Sequence, residues 1–285
     1  MTTSEPAHGG SFDHLDSLTL VLSSARSGST LLCHDIASLG GLGMPKEYLR
    51  GLRTEPRTTT ATEVDVMERV AMGVRDDAPN VASVKLMVPQ TPVTYEALSG
   101  KRIPSNEALP GVITWAQERF KHLFVVVLVR SAIDQAISRV VAGATGVFHS
   151  SHSAFGNGMP GPLGIPDINQ RILDNLGRVV RDRNIMLEVH SQFADLGLLL
   201  TYDELSRQPA ATASKLAAHA RKAGFEVQRD MSTRTLEKVI SAERSTEIRE
   251  AFLDYLKNET GVVPGDLDPG WSRATLARSG ADLGT

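Results

Sequence analysis

At 285 residues, 41% of them apolar, the chain can bury a sizeable core and sits near the upper size of one undivided α/β domain. A net charge of −3 and a pI near 6.2 exclude the global positive field that holds nucleic acid without sequence preference, so no nucleic-acid partner is expected. The single cysteine, Cys33, excludes an internal disulfide and leaves too few thiolates for a structural zinc site, which fits a reducing cytoplasm.

Residues 1–16 carry no periodicity and read as a flexible N-terminal tail, without the basic and apolar regions of a secretory signal. The first predicted strand is Leu18–Ser23, LTLVLS, an unbroken apolar run of the kind a strand covered on both faces requires. SARSGST follows, and then TLLCHDIASLG, in which Leu32, Ile36 and Leu39 recur at helical spacing until Gly40 and Gly41 end the helix. Two more apolar runs, Val81–Met87 and Leu123–Val129, predict strands with helical stretches around them, and LLLTYDEL, Leu198–Leu205, predicts a fourth strand running into a helix. The longest of these runs is far too short to span a bilayer, so no stable membrane insertion is expected.

Between Gly143 and Pro166 lie six glycines, three prolines and two histidines, too much irregular chain for an ordinary connection. Residues 143–168 are therefore expected to form a lid or acceptor loop. From Asn169 an amphipathic helix is predicted through Ile172, Leu176, Val179, Val180 and Ile185. Strands alternating with helices imply right-handed crossovers and a P-loop-like three-layer α/β fold, with a central, mostly parallel sheet and helices on both faces. The expected division is one domain over 17–270 and a C-terminal tail over 271–285.

The chemistry concentrates in SARSGST. A strand ending in a small-residue loop that opens a helix makes an anion site, because the first helical N–H groups have no internal partners and the macrodipole adds positive potential. Gly28 lets backbone approach a phosphate closely, Ser27, Ser29 and Thr30 add hydroxyls, and Arg26 adds a planar cation that can pair two oxygens. A nucleoside triphosphatase would need GxxxxGK followed by Ser or Thr, and the Gly-Lys pair is absent. The plainer alternative is an ordinary Ser/Gly turn.

RSGSTLL after a strand, PKEYL some twenty residues on, VKLM, VRSAIDQAIS and TYDEL together resemble the bacterial Stf0 sulfotransferases, a family whose founding member acts on trehalose. The resemblance runs over roughly Leu18–Leu205, with a weaker echo in ERSTEIREAFLDYL. It implies a cytoplasmic enzyme that transfers a sulfuryl group from 3′-phosphoadenosine 5′-phosphosulfate (PAPS) to a hydroxyl of a small-molecule acceptor, leaving PAP. Carbohydrate, nucleoside and secondary metabolite all remain open as acceptors. On that resemblance Arg26, Ser27, Gly28, Ser29 and Thr30 surround the 5′-phosphosulfate, Arg130 and Ser138 hold the 3′-phosphate, and Arg244 and Ser245 add to the nucleotide pocket. Glu47 is implied as the general base, against the alternative of an ion pair with a neighbouring arginine.

Lys85 alternates with apolar neighbours in a predicted central strand, where an unpaired ammonium would be costly, so it should reach an anion: sulfuryl oxygens, or a carboxylate in an ion pair. No metal is implied, and a homodimer is suggested by family likeness alone. His149 and His152 are two ligands without a third, and read as loop histidines, exposed to solvent or touching the acceptor, rather than as a metal site. Cys33 reads as a core residue, and Arg178, Arg181 and Arg183, interleaved with Asp182, as a solvated helix face. Two competing functions stay in view, an ATP-dependent small-molecule kinase and a non-catalytic nucleotide-binding protein on the same scaffold.

Overall fold

Four apolar segments pair into one parallel sheet in a computed structural model that describes residues 12–54, 61–146, 165–230 and 242–260. In chain order the elements are β1 (Ser17–Ser23), α1 (Ser29–Leu39), α2 (Gly51–Thr54), α3 (Glu63–Ala71), β2 (Val81–Met87), α4 (Thr91–Ser99), α5 (Ser105–Arg119), β3 (His122–Val129), α6 (Ala132–Thr145), α7 (Ile168–Gln192), β4 (Gly197–Thr201), α8 (Tyr202–Arg207), α9 (Pro209–Lys222) and α10 (Ala242–Thr260). The strand order is β2-β1-β3-β4, and every pairing is parallel. The four expected strands are all present, with β1, β3 and β4 each beginning one residue earlier than their apolar runs.

Both faces of the sheet are covered, which is why the strands are apolar at successive positions rather than alternate ones. Leu18, Leu20 and Leu22 of β1 join Val84, Leu86, Val125 and Val127 in a core closed by α3, α5 and the C-terminal half of α7. Val21 projects the other way, with Val126 and Leu128, into a second core closed by α1 and α9. A third cluster packs α6, the N-terminal half of α7 and α10 against one another beyond the sheet. The expected three-layer architecture is therefore present.

The packed chain starts ahead of β1. Leu15 is 1% exposed, and the Asp16 carbonyl accepts from the His122 N–H at 3.0 Å, so these residues of the expected tail are anchored by an apolar side chain and the start of β3. Helix α6 continues to Thr145 and α7 starts at Ile168. Residues 147–164 of the expected lid, with His149 and His152, lie outside the described residues, as does the tail over 271–285. Asp182 departs from the expected solvated face. It shares the inward side of α7 with Val179 and Met186 and is 3% exposed, and burial pushes its carboxyl above the ordinary range despite Arg181 and Arg139 nearby.

Candidate active site

The register of the sheet decides what meets at its carboxyl edge. Leu22 of β1 lies beside Val127 of β3, and Val129 lies beside Thr201 of β4. The segments leaving these strands, Ser24–Gly28, Arg130–Ser131 and Tyr202 onward, are therefore neighbours. Because β2 and β3 leave β1 on opposite sides, this is also the switch point of the topology, where crevices open in parallel sheets.

The loop after β1 is built to present backbone N–H groups. The Ser27 N–H closes a turn onto the Ser24 carbonyl at 3.3 Å, Arg26 takes a left-handed φ of 68°, and Gly28 follows at φ 95° as the residue that opens α1. Alternation of this kind turns successive amides toward one side and forms an anion-binding concavity. No side chain caps the start of α1, so its first N–H groups stay available. A Cβ on Gly28 would lie 2.4 Å from the Tyr202 ring, so only glycine lets that ring lie on the loop.

Arg130 leaves the end of β3 and is held on two sides. Its guanidinium carbon stands 4.4 Å from the centre of the Tyr202 ring, and Nη1 donates to the Arg26 carbonyl at 3.1 Å. Its Nε is buried with no hydrogen-bond partner, as is the Ser27 hydroxyl, and an orphaned buried polar atom of this kind is expensive unless something binds there. Arg26 Nε donates to Ser138 Oγ at 3.1 Å, so two residues that the resemblance assigns to opposite ends of a nucleotide touch each other. Burial, and next the charge of Arg130, hold the Arg26 guanidinium below the ordinary arginine range. Two guanidiniums crowded in this way favour an anion beside them. The fit to a phosphate-bearing group is good.

Glu47 arrives by a different route. The stretch after α1 runs along the outer edge of β2, where the Lys85 N–H donates to the Lys46 carbonyl at 2.9 Å and the Met44 N–H to the Gly73 carbonyl at 2.8 Å. This covers the edge strand and carries the next residue to the Lys85 side chain. Lys85 Nζ and Glu47 Oε1 are 2.9 Å apart, so the anion that the buried lysine requires is Glu47 itself, and among the described residues no arginine takes that place. Cys33, one turn into α1, lies close enough to both for their charges to act on it, but burial dominates and pushes its thiol up to about 12. It is a core residue, inert as a nucleophile.

Two residues that the sequence reading passed over belong to this site. Gln135, one turn into α6, bonds the loop directly, and Tyr202 supports both Gly28 and Arg130. Tyr202 is fixed by the capping box beside it, in which Thr201 Oγ1 accepts from the Glu204 N–H at 3.2 Å and Glu204 Oε2 accepts from the Thr201 N–H at 2.8 Å. Partial burial opposes ionisation of Glu204, but the Thr201 bonds and Lys215 outweigh it and hold the carboxyl below the ordinary range. A depressed carboxyl stabilises the fold above its unfolded-state value, and the stabilisation fades as pH falls through the folded one. Glu204→Gln is therefore expected to lower the melting temperature at pH 7 and to match the parent protein well below about pH 4, in paired thermal melts.

At the far side, Arg249 Nη1 meets Asp134 Oδ1 at 2.6 Å, tying α10 to the first turn of α6. Ser245, one turn earlier in α10, shares the Arg249 face. Arg244 is in the same turn, its side chain outside the described residues. Among the described residues no three metal-ligating side chains gather, and no helix is long and apolar enough to cross a membrane.

A family model described as Stf0 sulphotransferase matches residues 19–252. Among curated proteins no relative matches. Of solved structures, the chain is similar to a sulfotransferase from Alicyclobacillus acidocaldarius at 12% identity and a TM-score of 0.42, over 84% of this chain and 94% of that one. It is also similar to the sulfotransferase domain of the curacin biosynthetic pathway, at 14% identity and a TM-score of 0.44, over 95% and 99%. A mouse sulfotransferase solved in complex with PAP matches at 11% identity and a TM-score of 0.38, over 93% and 77%.

Proposed function

The chain belongs to the Stf0 sulphotransferase family, and we propose that it moves a sulfuryl group from PAPS to a hydroxyl of a small-molecule acceptor, with Glu47 as general base. The observation that carries the reading is the crowding of Arg26, Arg130 and the uncapped start of α1 around orphaned buried donors, at the edge where β1 and β3 end. PAPS supplies an activated sulfuryl group, whose sulfur–oxygen bond to the 5′-phosphate breaks as one to the acceptor oxygen forms.

The chain's own residues have the remaining tasks. The amides of Gly28, Ser29 and Thr30, with the hydroxyls of Ser27, Ser29 and Thr30, hold the 5′ end of the nucleotide, and Arg26 offsets charge that gathers on the bridging and transferring oxygens. Arg130 and Ser138 hold the 3′-phosphate, with Arg244 and Ser245 completing the pocket from α10. Glu47 takes the proton of the acceptor hydroxyl, and Lys85, bound to one carboxylate oxygen, orients the other toward it. Lys85 thus acts on the reaction through Glu47. The acceptor is a carbohydrate, a nucleoside or a secondary metabolite.

Incubating the protein with labelled PAPS and a panel of such acceptors is expected to give products heavier by one sulfuryl group, read by mass spectrometry. Magnesium-dependent consumption of ATP without sulfated product would replace the reading with a kinase. Tight PAP binding with no product from any acceptor would leave a nucleotide-binding protein.

A further inference from the structure

Gln135 is 2% exposed on α6, and its amide points at the backbone of the 24–28 loop. Nε2 lies 2.6 Å from Ser24 Oγ and 2.7 Å from the Ala25 carbonyl oxygen. A carbonyl only accepts, so the group facing it must be the NH2, and the orientation of the amide is set. Next along the chain, Arg130 Nη1 takes the Arg26 carbonyl at 3.1 Å. Both carbonyls flanking Arg26 are thus gripped by groups from one segment, Arg130–Gln135.

Arg26 is the residue that needs gripping. Its φ of 68° is uncommon for a residue with a side chain and persists only where the surroundings hold it. If the Ala25–Arg26 peptide turned over, the Ala25 carbonyl would leave Gln135 and could face the pocket, setting a negative dipole against an incoming anion. The amides that follow would lose their common aim. A buried amide spent on two loop acceptors prevents that turn.

We infer that Gln135 is a positioning residue for sulfuryl transfer: by holding the Ala25 carbonyl away from the pocket it keeps the loop in its anion-binding shape, and so governs affinity for the 5′ end of the nucleotide. The inference rests on the donor-site reading above. It assigns Gln135 no contact with the nucleotide and no part in holding the 3′-phosphate.

The test uses the full-length protein and two variants, Gln135→Met, which keeps length and apolar packing, and Gln135→Glu, which keeps shape but cannot donate as a carboxylate. Calorimetry should show PAP affinity falling at least tenfold in both. Adenosine 3′-phosphate, which lacks the 5′ group and is followed by ligand-observed NMR, should bind within twofold of the parent. In turnover assays KM for PAPS should rise in step with the loss of PAP affinity, and KM for the acceptor should not. Unchanged PAP affinity in both variants would overturn the inference. Equal losses for PAP and adenosine 3′-phosphate would also overturn it, because α6 itself would then have been disturbed. Failure of the parent protein to bind PAP at all would instead sink the donor-site reading.

Discussion

Arg130→Ala is expected to weaken PAP binding by about a hundredfold, measured by calorimetry, which is about 2.7 kcal/mol. The size follows from how the side chain is held. Its guanidinium is stacked 4.4 Å from the centre of the Tyr202 ring and tied to the Arg26 carbonyl, so little freedom remains to be lost on binding. One buried Nε–H stands without a partner, and a phosphate oxygen there would gain a charge-assisted bond while removing that cost. Arg130→Lys should fall between, since an ammonium keeps the charge but not the fork or the flat stacking surface. PAP affinity within twofold of the parent in Arg130→Ala would show that the nucleotide does not lie at the end of β3.

Glu47→Gln is expected to reduce turnover by two to four orders of magnitude, about the contribution of a positioned general base, with PAP affinity unchanged within about threefold. Glutamine keeps the length of the side chain, and its carbonyl can still accept from Lys85, so the strap along β2 should stay in place. What disappears is the capacity to take a proton. The pair with Lys85 gives the result its edge: were it only a structural tie, Glu47→Gln would spare turnover. Turnover within a few-fold of the parent would move the base to another residue.

Much of the scaffold was legible locally. LTLVLS reads as a strand because it is apolar at every position, and the structure buries all of β1. TLLCHDIASL reads as a helix because its leucines and isoleucine recur at helical spacing up to Gly40, which caps α1. The loop between them carries its own chemistry, since a serine- and glycine-rich turn entering a helix exposes amides whatever surrounds it. Arg130, next after an apolar run, had to stand at a strand end.

The partnerships were not legible. Lys85 on its own called for an anion, but a cost of burial does not say which carboxylate relieves it, and Glu47 is 38 positions away along the chain. Gln135 looks like any polar residue in a helix until α6 lies against the loop, and Tyr202 looks like a strand-end aromatic until it covers Gly28.

Residue order alone therefore established the strand-loop-helix unit and the parallel α/β class, because backbone preference and apolar periodicity act between near neighbours, and its spaced motifs carried the resemblance to the family. The strand order β2-β1-β3-β4, the bond between Arg26 and Ser138, the pairing of Lys85 with Glu47 and the grip of Gln135 on the loop arose in the folded chain. They depend on which crossovers bring which strand ends together, and that is settled by the packing of helices against both faces of the sheet, where distance along the chain no longer measures distance in space.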